Sequence, residues 1–176
     1  MLFRSLLPHW SSSRILELGS GTGFLGLALS RTVSHWTFSD QLPSLPLVLK
    51  NVRKNGVPGG AQDVRELDWL AESRDWREGR RREDDEWDVV LACDCIYNPS
   101  LSVPLAQTIE HFARQGTVVL VVSELRDPEP LEVFLRAWLE LGWRVARVGF
   151  GEEEREGIGA GQFVVWAGWR EGEAGV

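Results

Sequence analysis

Lysine is almost missing from this 176-residue chain: Lys50 and Lys54 stand against seventeen arginines, a bias that codon usage explains most simply. Basic residues as a whole are also outnumbered. Nineteen Lys and Arg face twenty-six Asp and Glu, for a formal net charge of −7. That balance argues against a nucleic-acid partner, whose phosphates call for basic patches, and is compatible with a basic protein substrate. Cysteine is equally scarce. Cys93 and Cys95 are the only two, one residue apart, which excludes a disulfide framework and leaves a four-ligand metal site unfilled. No apolar run approaches the ~20 residues of a membrane span. The opening MLFRSLLPHW is too short and polar for a secretory signal, so an intracellular protein is expected, cytoplasmic with the nucleus left open. Apolar content of 43% with 26% charged residues is ordinary for one globular domain of this length, here taken as residues 1–176.

What the chain does have is ILELGSGTGFLG, Ile15 to Gly26. An apolar strand ends at Glu17, and Gly19, Gly21 and Gly23 then turn the backbone into a helix. Glycines there allow tight turning and close approach to a ligand. Gly21 to Gly26 matches G-x-G-x-x-G, which taken alone admits a dinucleotide or a ligand-free turn. Glu17 decides against the dinucleotide. A carboxylate two residues before the first glycine repels a pyrophosphate but suits a ligand carrying an ammonium and a sulfonium, namely S-adenosylmethionine.

Strand-like and helix-like segments alternate along the chain. This predicts an α/β fold, Rossmann-like, with a mostly parallel seven-stranded sheet and helices on both faces. Strands are expected at Arg14 to Leu18, His35 to Ser39, Asp63 to Leu67, Trp87 to Cys93 and Thr117 to Val122. Helices are expected at Phe24 to Arg31, Pro43 to Asn55, Ser100 to Arg114 and from Asp127-Pro128 to Gly142. Ala71 to Glu86, rich in charge and without apolar periodicity, reads as an exposed loop. Its arginines suggest a docking site for an acidic partner, although a solvated loop is the simpler reading. Trp143 to Phe150 and Phe163 to Trp169 close the chain as an antiparallel hairpin, because no helix separates them.

In such sheets ligands bind beyond the carboxyl ends of the strands. The residues there are Glu17 with the glycines, Asp40, Asp68 with Trp69, and Asp94 to Tyr97. Asp40 suits ribose hydroxyls, Asp68 an adenine amine and Trp69 an apolar wall. Asp94 and Tyr97 stand where a methyl group would emerge. Asp40 and Asp68 also have a plainer reading as caps, and Trp69 as one more packed aromatic.

The order ELGSGTGFLGLAL, TFSDQ, LVLKNVRKNG, LDW and DCIYNPSL resembles the seven-strand protein methyltransferases of methyltransferase family 16. Asp94-Cys95-Ile96-Tyr97 matches that family's D-x-x-Y motif. DCIYNPSL is most similar to the fungal ribosomal-protein lysine methyltransferases and to the enzymes acting on the valosin-containing ATPase. The resemblance runs from Arg14 to Trp169. It implies an S-adenosylmethionine-dependent protein-lysine N-methyltransferase whose partner is a protein presenting a lysine, a ribosomal protein being one candidate. Catalytic roles fall to Asp94 and Tyr97. Cofactor contacts fall to Glu17, Gly19, Gly21, Gly23, Asp40, Asp68, Trp69 and Ala92; no metal is implied. Thirteen residues precede Arg14, so part of the usual N-terminal segment is expected to be lacking and transfer to be poor. A small-molecule or RNA methyltransferase, and a non-catalytic partner-binding module, are the alternatives on the same fold.

Overall fold

β-Branched and apolar runs that alternate their side chains between two faces form the centre of this protein. The structure is a computed structural model describing residues 9–55, 62–80, 86–149 and 163–170. Strands β1 (Arg14–Leu18), β2 (His35–Asp40), β3 (Gln62–Glu66), β4 (Val89–Cys93), β5 (Val118–Glu124), β6 (Arg144–Arg147) and β7 (Phe163–Trp169) form one sheet. Their spatial order is β3-β2-β1-β4-β5-β7-β6. The first five are parallel, while β7 runs antiparallel to both β5 and β6. The predicted fold class and closing hairpin are therefore what the chain adopts. The acidic and glycine-rich stretch between the last two strands lies outside the described residues.

The period of two along each strand assigns residues to opposite layers. Leu16, Val90, Ala92, Val119 and Val121 join Leu105, Ile109, Phe112, Phe134 and Trp138 in one core cluster. Ile15, Val89, Leu91, Val118 and Leu120 join Trp36, Phe38 and Val48 in the other. The first layer is covered by α4 (Pro99–Phe112) and α5 (Pro128–Glu140), the second by α1 (Phe24–Leu29) and α2 (Leu45–Asn55). Caps start the longer helices, the one at Asp127 as the sequence suggests. Asn98 accepts from Ser100 N at 3.1 Å and Asp127 from Glu129 N at 3.0 Å, each ahead of a proline at the first helical position.

One expectation fails. Ala71 to Glu86 is not a loop throughout, because helix α3 occupies Trp69–Arg77. Asp68 is its N-cap, accepting from Leu70 N at 2.9 Å. Apolar periodicity cannot reveal this helix because its inward positions, Glu72 and Ser73, are polar yet buried. Ser73 Oγ donates to Gln107 Oε1 at 2.5 Å, and the Glu72 carboxylate lies 3.7 Å from His111 Nε2 on α4. One hydrogen bond and one close carboxylate–imidazole pair between helices stand in for an apolar stripe here. Residues 81–85 lie outside the described residues. The helix predicted to reach Arg31 also ends sooner, tightening into a 3₁₀ turn at Ser30–Thr32.

Gly26 shows how closely α1 lies on β2. A Cβ there would stand 2.2 Å from Phe38 Cε1 and 2.4 Å from Trp36 Nε1. Gly26→Ala is expected to lower stability by about 2 kcal/mol, within the range for overpacking a filled interior. A urea unfolding midpoint equal to that of the parent would show that α1 lifts away without cost.

Candidate active site

The loop after β1 is held open by glycine stereochemistry and by its neighbour strand. Gly19, Gly21 and Gly23 have φ of 67°, 57° and 77°. Ser20 N donates to Ser39 O at 2.9 Å and Gly21 N to Asp40 Oδ2 at 2.7 Å, so β2 tethers the loop. At Gly19 glycine is needed for space as well as for conformation. A Cβ would meet Cys95 Sγ at 2.9 Å and the Trp69 ring at 3.0 Å.

Above this loop lies a cavity of about 680 Å³, bordered by Glu17, Gly19, Gly21, Asp40, Trp69, Asp94 and Tyr97 among others. The strand ends thus bring together seven of the ten residues singled out from sequence. The other three stand aside. Gly23 is the N-cap of α1 and faces Phe38 and Val48. Asp68 accepts the α3 cap bond through Oδ1 and does not border the cavity. Ala92 is fully buried within β4. Phe24, Gln41, Ser44, Cys93 and Leu101 also line the cavity and were not anticipated. Their sequence neighbours are the motifs themselves, which is the signal that would have found them.

Glu17 is 3% exposed and accepts from Trp36 Nε1 at 2.9 Å. Burial pushes its carboxyl up to about 7, against the pull of hydrogen bonds from Trp36 and Ser20, and the Asp40 charge adds to the rise. Asp40 accepts from Gly21 N through one oxygen and from Gln41 N at 2.8 Å through the other. A carboxylate has about four acceptor positions, so this framework role leaves capacity for ribose hydroxyls.

Beyond β4 the chain turns abruptly. Asp94 has φ 55°, and among the described residues no other non-glycine has positive φ. Aspartate tolerates that region better than most side chains, and strain of this kind concentrates at functional sites. Asp94 N donates to Val122 O at 2.8 Å, tying the turn to β5. The Cys95 thiol is buried and bonds Leu18 O at 3.2 Å; burial raises its pKa, which keeps it protonated. Both cysteines are free, as the spacing of one residue between them suggests. With Cys95 and Ile96 anchored inside, Tyr97 is left 63% exposed at the cavity mouth.

The electrostatics are one-sided. Glu17, Asp40 and Asp94 border the cavity, and no Lys or Arg does among the described residues. A pyrophosphate would meet three carboxylates, whereas a ligand bearing an ammonium and a sulfonium fits the donor set. Among the described residues no group of three or more His, Cys, Asp and Glu is placed to hold a metal, and no helix is long and apolar enough to cross a membrane.

Comparison with known proteins adds to this geometry. Residues 7–138 match the family model described as lysine methyltransferase. A diaminohydroxyphosphoribosylamino-pyrimidine deaminase of Schizosaccharomyces pombe is 40% identical over 138 residues, covering 74% of this chain and 31% of that protein. Protein N-lysine methyltransferase METTL21A of Danio rerio is 32% identical over 116 residues, covering 64% of this chain and 50% of its own length. The chain thus spans half or less of these two curated relatives. Aeropyrum pernix fibrillarin, solved with S-adenosyl-L-methionine bound, shares the fold at a TM-score of 0.63 and 17% identity. That match covers 92% of this chain and 68% of fibrillarin.

Proposed function

The chain belongs to the lysine methyltransferase family, and from that premise we propose that it moves a methyl group from S-adenosylmethionine to a lysine side chain of a protein. The observation that carries this reading is the cavity bordered by three carboxylates and no basic side chain among the described residues. The deaminase name is not carried over, because the match spans under a third of that protein.

When bound, S-adenosylmethionine supplies a methyl group made electrophilic by its positive sulfur. Glu17 would face the ammonium of the donor, Asp40 the ribose hydroxyls and Trp69 the base, with Gly19 leaving room beneath. Asp94 and Tyr97 form the acceptor side. A lysine ammonium must shed its proton first, which at pH 7 costs about 4.6 kcal/mol from a reference pKa near 10.4. Asp94, being negative, opposes that loss, so its role is to orient the amine rather than to act as a strong base. Tyr97 offers a ring face to the cation and a hydroxyl to a hydrogen bond. Its exposure leaves water in reach to take the proton.

Calorimetry with S-adenosylmethionine, S-adenosylhomocysteine and NAD tests the donor. The first two are expected to bind; NAD binding without a response to the methyl donor would overturn the assignment. Asp40→Ala is expected to weaken donor binding by about 2 kcal/mol or more, because it removes a charged acceptor and also frees the Gly21 amide. Radiolabelled donor in a cell lysate tests the acceptor. Label on protein lysine supports the reading, and label confined to RNA or small molecules refutes it.

A further inference from the structure

The proposed reaction leaves an electrostatic difficulty that the site itself resolves. The acidic groups around the cavity, Asp94 above all, favour binding of a lysine as its ammonium, the form that cannot react. Asp94, the one assigned to the acceptor, is not left as a bare charge. Arg126 Nη2 lies 3.2 Å from its Oδ2. Arg126 is in turn bonded to Glu124, the last residue of β5, so its guanidinium is held between two carboxylates. It is 58% exposed, in the short connection ahead of the Asp127 cap of α5.

We propose that Arg126 is a positioning residue for proton release: its guanidinium offsets Asp94 and so keeps the incoming lysine amine easy to deprotonate. The inference rests on the functional reading above. A neighbouring positive charge disfavours the ammonium, while an unpaired carboxylate favours it. The other charged or titratable groups around this place are Glu17 from β1, Asp40 from β2, and Cys93 and Tyr97 flanking Asp94, all bordering the cavity, with Glu124 of β5 bonded to Arg126 and Asp127, next in the chain, engaged in the α5 cap. The carboxylates among them all pull the amine toward its charged form. Among these side chains Arg126 pushes the other way, together with the positive sulfur of the bound donor. The proton released passes to water at the open mouth.

Wild type is first given radiolabelled S-adenosylmethionine and a cell lysate, and the labelled protein is purified as acceptor. If no protein lysine is labelled, the functional reading fails, and this inference falls with it. With the acceptor in hand, kcat and KM are measured against pH for wild type, Arg126→Gln and Arg126→Lys. For Arg126→Gln the midpoint of the kcat profile is expected to rise by about half a pH unit, which makes turnover at pH 7 about threefold lower. At alkaline pH it should regain the wild-type rate. KM should fall about threefold, in keeping with an exposed pair. Arg126→Lys should keep the wild-type profile. An unmoved midpoint in the glutamine variant, or a lysine variant that fails to restore it, overturns the proposal while leaving the methyltransferase reading intact. A binding measurement without turnover gives a second check. n-Butylammonium, the lysine head group alone, is titrated by NMR into protein saturated with S-adenosylhomocysteine. About threefold tighter binding to Arg126→Gln is expected, and equal or weaker binding would also overturn the proposal.

Discussion

Asp94→Asn is expected to cut lysine methylation by about 100-fold or more while donor affinity stays within about threefold of the parent. The reason is geometric. A misplacement of about 1 Å at a reacting amine costs on the order of 100-fold, and Asp94 is the carboxylate on the acceptor side of the cavity. Asparagine is the informative replacement because Asp94 sits at φ 55°. It occupies that region about as readily as aspartate, whereas alanine would add a backbone cost of about 1–2 kcal/mol and confuse conformation with chemistry. Asp94→Gly is the complementary control, relaxed in the backbone and lacking the carboxylate. Both variants should lose turnover together and unfold close to the parent. Tyr97→Phe should show the same pattern more weakly, since it keeps the ring and loses only the hydroxyl. Turnover measured beside calorimetric donor affinity decides the matter: an Asp94→Asn protein with intact turnover removes Asp94 from the mechanism.

Glu17→Gln should move stability and binding in opposite directions. In the folded protein the Glu17 carboxyl titrates at about 7, above an ordinary value of 4.5, chiefly because it is buried. Between those two values the native state therefore holds a proton that the unfolded chain has lost. Stability falls as pH rises through this window, by an amount on the order of 3 kcal/mol, and the loss is complete above about pH 7. Glutamine cannot ionise and still accepts from Trp36. The variant should be more stable than the parent at pH 8 by about 3 kcal/mol, equal to it near pH 4.5, and flatter in between. Donor binding should suffer instead. The parent's affinity is expected to rise from pH 6 to pH 8 as Glu17 ionises, and the variant's to be about 30-fold weaker and nearly independent of pH. Chemical unfolding across pH with calorimetry at the same points provides the measurement. A variant no more stable than the parent at pH 8 would show that Glu17 is already neutral or solvated there.

Much of the architecture is legible along the chain because its signals are local. The strand Arg14–Leu18 and the strand Phe163–Trp169 fall at the predicted bounds. Asp127-Pro128 announces the second of the two long helices that cover one face. Helix α3 is the instructive failure. Glu72 and Ser73 look like solvent positions until Gln107 and His111, more than thirty residues away, supply partners for them. A solvated reading of the surrounding charge run suits Glu78 and Arg80, which are exposed, but not the turn that carries Trp69 to the cavity.

Local pattern along the chain is enough to specify the sheet, its closing hairpin and the order in which Glu17, Asp40, Trp69, Asp94 and Tyr97 arrive at strand ends. Each follows from short-range rules: period two for strands, glycines where a backbone must turn, caps where helices begin. Which of these groups share one cavity, and in what state, is settled only once the chain is packed. Packing withdraws Ala92 into the sheet. It raises the Glu17 carboxyl by burial against Trp36, and it brings Arg126, thirty-two residues on, against Asp94. The physical reason is that desolvation and charge pairing act through space, between strands whose neighbours in the sheet are far apart in the chain.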